Sequence, residues 1–200
     1  MRRPTSRKER AEHLFKVVTS QRFLSKQSFR NDVPFFICPY PAEEGLSMVD
    51  DRLDLVTRIT HAGIAVLDLS LYELSLAILE ERGILKQILE IEQESDKGEI
   101  RELLQSVLDP EANLIPKIGD AISAIPHDVI FLSGVGEVYP YIRSHNVLNN
   151  LQSIAKEKPT VLFFPGSYTH AHATGASLDL FGRLHDDKYY RAFNILNYEV

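Results

Sequence analysis

Apolar residues gather in four short runs without strict polar alternation: VPFFICP at 33–39, IAVLDL at 64–69, DVIFLSG at 128–134 and TVLFFPG at 160–166. Each is closed by Pro, Gly, Ser or Asp. Half-exposed antiparallel strands alternate, whereas strands covered on both faces need not, so these runs predict a parallel sheet. Between them the spacing changes to steps of three and four. Leu46, Val49, Leu53 and Val56 predict one apolar helix face, and Leu103, Leu104, Val107 and Leu108 another. Strand–helix alternation of this kind argues for a three-layer α/β sandwich. Its central, mostly parallel sheet of four or five strands, flanked by helices, is Rossmann-like or degenerate P-loop-like, with right-handed crossovers.

Local signals place the breaks. Ser6 followed three residues later by Glu9 reads as a capping box, and Ala11, Leu14, Phe15 and Val18 mark the apolar face of the helix it starts. Residues 70–125 predict two or three helices, broken near Gly83, near Ser95 to Gly98 and at Asp109-Pro110. After the fourth run, GSYTHAHATGAS at 166–177 reads as a flexible loop. Two readings stay open for LDLFGRL: a short helix, or a strand hairpinned through His185-Asp186-Asp187. RAFNIL then predicts a fifth strand.

Composition adds bounds. A chain of 200 residues, 44% hydrophobic and 25% charged, predicts one domain able to bury a sizeable core. The single cysteine, Cys38, excludes an intrachain disulfide and a thiolate-rich zinc site, and suits a reducing setting. No run approaches the roughly 20 apolar residues of a membrane span. The net charge of -6 is an average of unlike parts. Residues 1–30 hold nine Lys/Arg against two Glu, residues 31–130 hold seven against twenty acidic residues, and residues 131–200 hold six of each. A basic N-terminal segment and an acidic helical excursion at 70–125 therefore stand apart.

Candidate chemistry collects at the predicted strand ends, where open α/β sheets usually bind ligands. Asp68 closes a run shaped like a Walker B strand, but the turn after the first strand, CPYPAEEGLS, has two carboxylates and no phosphate-binding lysine. That turn repels a triphosphate, and Asp68 reads first as a helix cap or turn former. Ser133, Gly134 and Gly136 follow the third strand, and Pro140 suits the first turn of the next helix. Yet Tyr139 replaces the third glycine of a dinucleotide fingerprint, and Glu137 sits where an anion would go. On a helical wheel Tyr141, Leu148, Leu151 and Ala155 share a face with His145 at its edge, while Arg143 points away. His145 reads as partly buried and hydrogen-bonded before it reads as a general base.

No nucleophile elbow occurs, and Cys38 beside Pro39 reads as a buried, inert thiol. His170 and His172, with His185 or Asp186, lack the defined spacing of a metal site. No metal or cofactor is predicted. In the N-terminal helix no continuous basic stripe forms, because Glu9 and Glu12 share the exposed side with Lys16. It reads as solvated or partner-facing before it reads as DNA-binding.

Four stretches are more particular than generic α/β sequence: PFFICPYPAEEGLSMVDDRL, FLSGVGEVYPYIRSHNVLNNLQ, KPTVLFFPG and FGRLHDDKYYRAFNIL. They resemble the BrxB family of bacteriophage exclusion (BREX) systems, and the resemblance covers about 190 of the 200 residues. It implies a cytoplasmic component of a phage-defence cassette, working with a DNA methyltransferase, a large ATPase and a PglZ-type protein of the alkaline phosphatase superfamily. It carries no catalytic residues across.

The expected role is a non-enzymatic adaptor or scaffold for the PglZ-type protein, docking through the basic N-terminal helix with Arg7, Arg10 and Lys16, the acidic helices between 70 and 125, and exposed positions around Arg143 and Arg183. One alternative is a nucleotide or metal site built from Asp68, Ser133, Gly134, Gly136 and His145. A crevice plugged by Tyr139 or Tyr141, with Asp68 bonded to backbone, would exclude it. A second alternative is DNA contact through the basic N-terminus.

Overall fold

The computed structural model describes residue 4 and residues 6–25, 35–171, 175–187 and 192–199. Five strands form the main sheet in the order β2-β3-β4-β1-β7: β1 (Phe35–Tyr40), β2 (Val66–Ser70), β3 (Val129–Ser133), β4 (Thr160–Ala171) and β7 (Phe193–Asn194). All their pairings are parallel, with Ile37 opposite Leu162 and Leu67 opposite Ile130. The chain crosses from β1 to the far edge, β2, then returns one strand at a time. Opposite directions of travel with one preferred hand put the connecting helices on opposite faces. Helix α3 (Gly45–His61) lies on one face with α1 (Arg7–Val18) and α2 (Gln21–Leu24). The other face carries α4 (Leu71–Glu81), α5 (Leu85–Ile91), α6 (Lys97–Val107), α7 (Ile115–Ala124) and α8 (Ser144–Ile154).

The runs of β1 and β3 lack alternation because both sides are buried, whereas edge strand β2 buries Leu67 and Leu69 and leaves Asp68 half-buried. On β1, Phe35 and Ile37 pack under α4–α8, while Phe36 and Cys38 pack under α1–α3. Neighbouring strands repeat the split, with Leu132 and Leu162 on one side and Phe131 and Phe163 on the other. Phe131 and Phe163 meet edge to face, ring centroids 5.2 Å apart. Cys38 is buried as expected, and burial pushes its thiol up to about 12.

The helix breaks fall where local chemistry predicts them. Ser6 and Glu9 close their capping box. Gly83 leaves α4 with φ +68°. Asp96 caps α6 by accepting from the Gly98 N–H at 2.8 Å. Asp109 accepts from the Ala112 N–H and opens one π-helical turn, Pro110–Leu114, that leads into α7. The excursion thus contains four α-helices rather than two or three.

Three expectations are corrected. The first is the inner face of α3. Met48, Leu55 and Ile59 are buried, whereas Leu46, Val49 and Leu53 are 91%, 42% and 49% exposed. The second is the segment 166–177, whose described residues, 166–171 and 175–177, extend the sheet instead of forming a loop. Gly166–Ala171 of β4 pairs antiparallel with β5 (Gly175–Leu180), which pairs with β6 (Leu184–Asp187), so the turn falls at Phe181–Arg183 and not at 185–187. The buried Tyr168 hydroxyl donates to the Ala192 carbonyl at 2.7 Å and ties this hairpin to the chain entering β7. The third is the start of α8. Residues 134–142 form successive turns, Pro140 lies among them, and the helix begins only at Ser144.

Candidate functional site: a cleft at the strand ends

A cleft of about 550 Å³ opens beyond the carboxyl ends of β1, β2 and β3, beside Phe163 and Pro165 in the middle of β4. One wall is the first half of α3, with Leu46, Val49 and Arg52; the other is the turn after β3, with Gly134, Gly136 and Glu137, and the hairpin tip, Phe181. Tyr40, Ser70 and Ser133 line its base.

Local chemistry explains the second wall. Ser70 ends β2 and caps α4, accepting from the Glu73 N–H at 3.3 Å. Gly134 has φ +85°, and a Cβ there would stand 3.0 Å from the Tyr72 nitrogen, so only glycine lets this turn lie against the start of α4. Phe181 holds a left-handed φ of +56°, unusual for a residue with a bulky side chain. Its N–H donates to the Pro165 carbonyl at 2.8 Å, and the Tyr139 ring meets it edge-on at 6.3 Å. The crevice is therefore open, with the Tyr139 ring turned onto the hairpin tip.

The first wall is set by an inverted helix. Arg52 occupies the inward position between Met48 and Leu55 and pairs with Asp68, which points to α3 because Leu67 and Leu69 take the opposite face of β2. Their side chains are 12% and 20% exposed. Asp68 therefore bonds neither backbone nor helix end, and the cap expected of it is supplied by Ser70. Burial raises the Asp68 carboxyl against the pull of Arg52, and its Oδ1 has no partner among the described residues. A second inward ion pair joins Arg10 to Glu44, and Arg7 pairs with Asp51.

The cleft is acidic. Glu43, Glu73 and Glu137 line it, and the arginine lining it, Arg52, is already matched by Asp68. Tyr40 reports this environment: burial first, then the charge of Glu137, pushes its phenol up to about 12. Of the two carboxylates noted after β1, Glu43 shares this space with Glu137, while Glu44 turns to Arg10.

Of the expected ligand residues, Ser133, Gly134 and Gly136 line the cleft, Asp68 stands behind Arg52, and His145 is buried on α8 outside the lining. Among the expected docking cations, Lys16, Arg143 and Arg183 are exposed. Arg10 is 7% exposed and turned inward, and Arg7 is tied to Asp51. His172 lies outside the described residues. No group of three or more His, Cys, Asp or Glu that could hold a metal ion occurs among the described residues. Sequence reasoning missed Leu46, Arg52 and Phe181. The available signal was Arg52 itself, a charge within the apolar spacing of α3.

The family model described as BREX protein BrxB matches residues 67–195. A BREX protein BrxB of Bacillus cereus (strain H3081.97) is 32% identical over 193 residues, covering 94% of this chain and 97% of the relative. A BREX protein BrxB of Escherichia coli O9:H4 (strain HS) is 24% identical over 179 residues, covering 90% and 86% respectively. No solved structure gives a significant match. With a family match across β2 to β7 and a relative similar along nearly the whole length, the chain belongs to the BrxB family of BREX proteins.

Proposed function

We propose that the chain is a non-catalytic docking subunit of a BREX phage-defence system, an adaptor for the PglZ-type protein of the cassette, working in the cytoplasm. The BREX ATPase and methyltransferase are its further candidate neighbours. The observation that carries this reading is the orientation of α3, which turns Arg52 inward to Asp68 and exposes Leu46 at 91%. Single exposed leucines are ordinary, but an i, i+3, i+7 apolar stripe at the rim of a cleft is the surface a protein partner covers.

The rival readings have less support. A nucleotide would bring its phosphates towards Glu43, Glu73 and Glu137, with Arg52 already engaged. For contact with DNA through the N-terminal helix, Arg7 and Arg10 are already engaged by Asp51 and Glu44.

Tagged chain, expressed with the other cassette products, should retain the PglZ-type protein at modest salt. The double variant Leu46→Asp/Leu53→Asp should lower that retention by about tenfold or more. Its thermal unfolding should be nearly unchanged, since both positions face solvent. If the unaltered chain retains none of the cassette's products, the adaptor role is lost.

A further inference from the structure

The occupant of the cleft is open to the same physical reading, which rests on the docking role proposed above. Leu46, Val49 and Leu53 span two helical turns, roughly 11 Å along the axis of α3. That spacing matches the ridge of a second helix packed alongside, whereas an extended strand would present alternate residues about 7 Å apart. Beside the stripe lies a space of about 550 Å³, deep enough for large side chains and bordered by Phe181 in its left-handed conformation. Beside the apolar walls formed by Leu46, Val49 and Phe181 stand Glu43, Glu73 and Glu137, without an unmatched cation in the lining. A carboxylate-rimmed apolar groove repels acidic segments and orients basic ones.

We infer that the cleft and the α3 stripe receive one basic amphipathic helix of a partner protein. Its apolar face lies along Leu46, Val49 and Leu53, a bulky side chain enters the space beneath Phe181, and its Lys or Arg residues meet Glu43, Glu73 and Glu137. The acidic rim selects the partner, and the stripe holds it.

A photo-crosslinking residue placed at Leu46, in the full chain within cells carrying the whole cassette, tests this. The expected product joins Leu46 to another cassette protein, at a segment with apolar residues three or four apart and net positive charge. The charge-reversed variant Glu43→Lys/Glu137→Lys should lose about tenfold in retention of that protein at low salt, with a weaker salt dependence. A cross-link to an acidic segment or to a second copy of this chain overturns the inference, as does unchanged retention by the charge-reversed variant. Persistent retention without any cross-link at Leu46 overturns the placement alone and leaves the adaptor role standing. Failure of the unaltered chain to retain any cassette protein removes both.

Discussion

Replacing Arg52 by methionine is expected to lower the unfolding free energy by about 1–3 kcal/mol, because it strands a half-buried carboxylate rather than removing a favourable pair. Asp68 would keep its place on β2, facing α3, with the Arg52 guanidinium gone and Oδ1 already without a partner among the described residues. The double variant Arg52→Met/Asp68→Leu should recover most of the loss and can exceed the parent, since apolar groups of similar volume often outperform a desolvated ion pair. The coupling between the two sites is then read from the cycle of singles and double.

The pH dependence gives a second check. Burial holds the Asp68 carboxyl above its ordinary value of 3.8. The folded chain therefore binds this proton more tightly than the unfolded chain, and the contribution is present at low pH and lost as pH rises through the raised value. Without Arg52 the charged form is worse still, so Arg52→Met should be more damaging at pH 7 than near pH 4. Denaturant unfolding at both pH values measures this. An equal loss at both would mean that the Arg52–Asp68 pair is not its source.

Gly166→Ala is expected to cost about 3–4 kcal/mol, at the upper end of single substitutions. A Cβ at this position would stand 2.0 Å from the Asp179 carbonyl oxygen, on the strand paired with it. Backbone cannot yield as a flexible side chain can, so β4 and β5 would have to separate. The damage should stay local. Positions 160–165 pair with β1 before Gly166 is reached, whereas 167–171 depend on β5. Amide exchange should accelerate across 167–180 more than in β1 or β3. Because that hairpin carries Phe181 to the cleft, the same variant should weaken partner retention. Unchanged stability would show that β5 does not press on Gly166.

Much of the fold was legible from local patterns. The four unalternating runs became β1 to β4, and the breaks at Gly83, Asp96 and Asp109 fell where caps and glycine geometry put them. These signals act within a few residues, so sequence contains nearly all of the relevant physics. The 166–171 extension of β4 was less legible. Its polar and small residues read as loop, and the strand exists because β5 supplies the partner for its backbone. The cleft was half legible: Ser133, Gly134, Gly136 and Glu137 were singled out as strand-end residues, while Phe181 reaches them only through the hairpin.

By itself, the sequence determined the α/β class, the parallel core strands, the helix breaks at Gly83, Asp96 and Asp109 and the family resemblance, because each follows from short-range spacing or from the order of residues. Only the tertiary structure decided which way α3 faces. Its apolar positions allow two orientations. The chosen one turns Arg52 towards Asp68 and Glu44 towards Arg10, contacts made across 16 and 34 residues of chain. Those two pairings bury charge and leave Leu46 in solvent, creating the surface on which the proposed function rests.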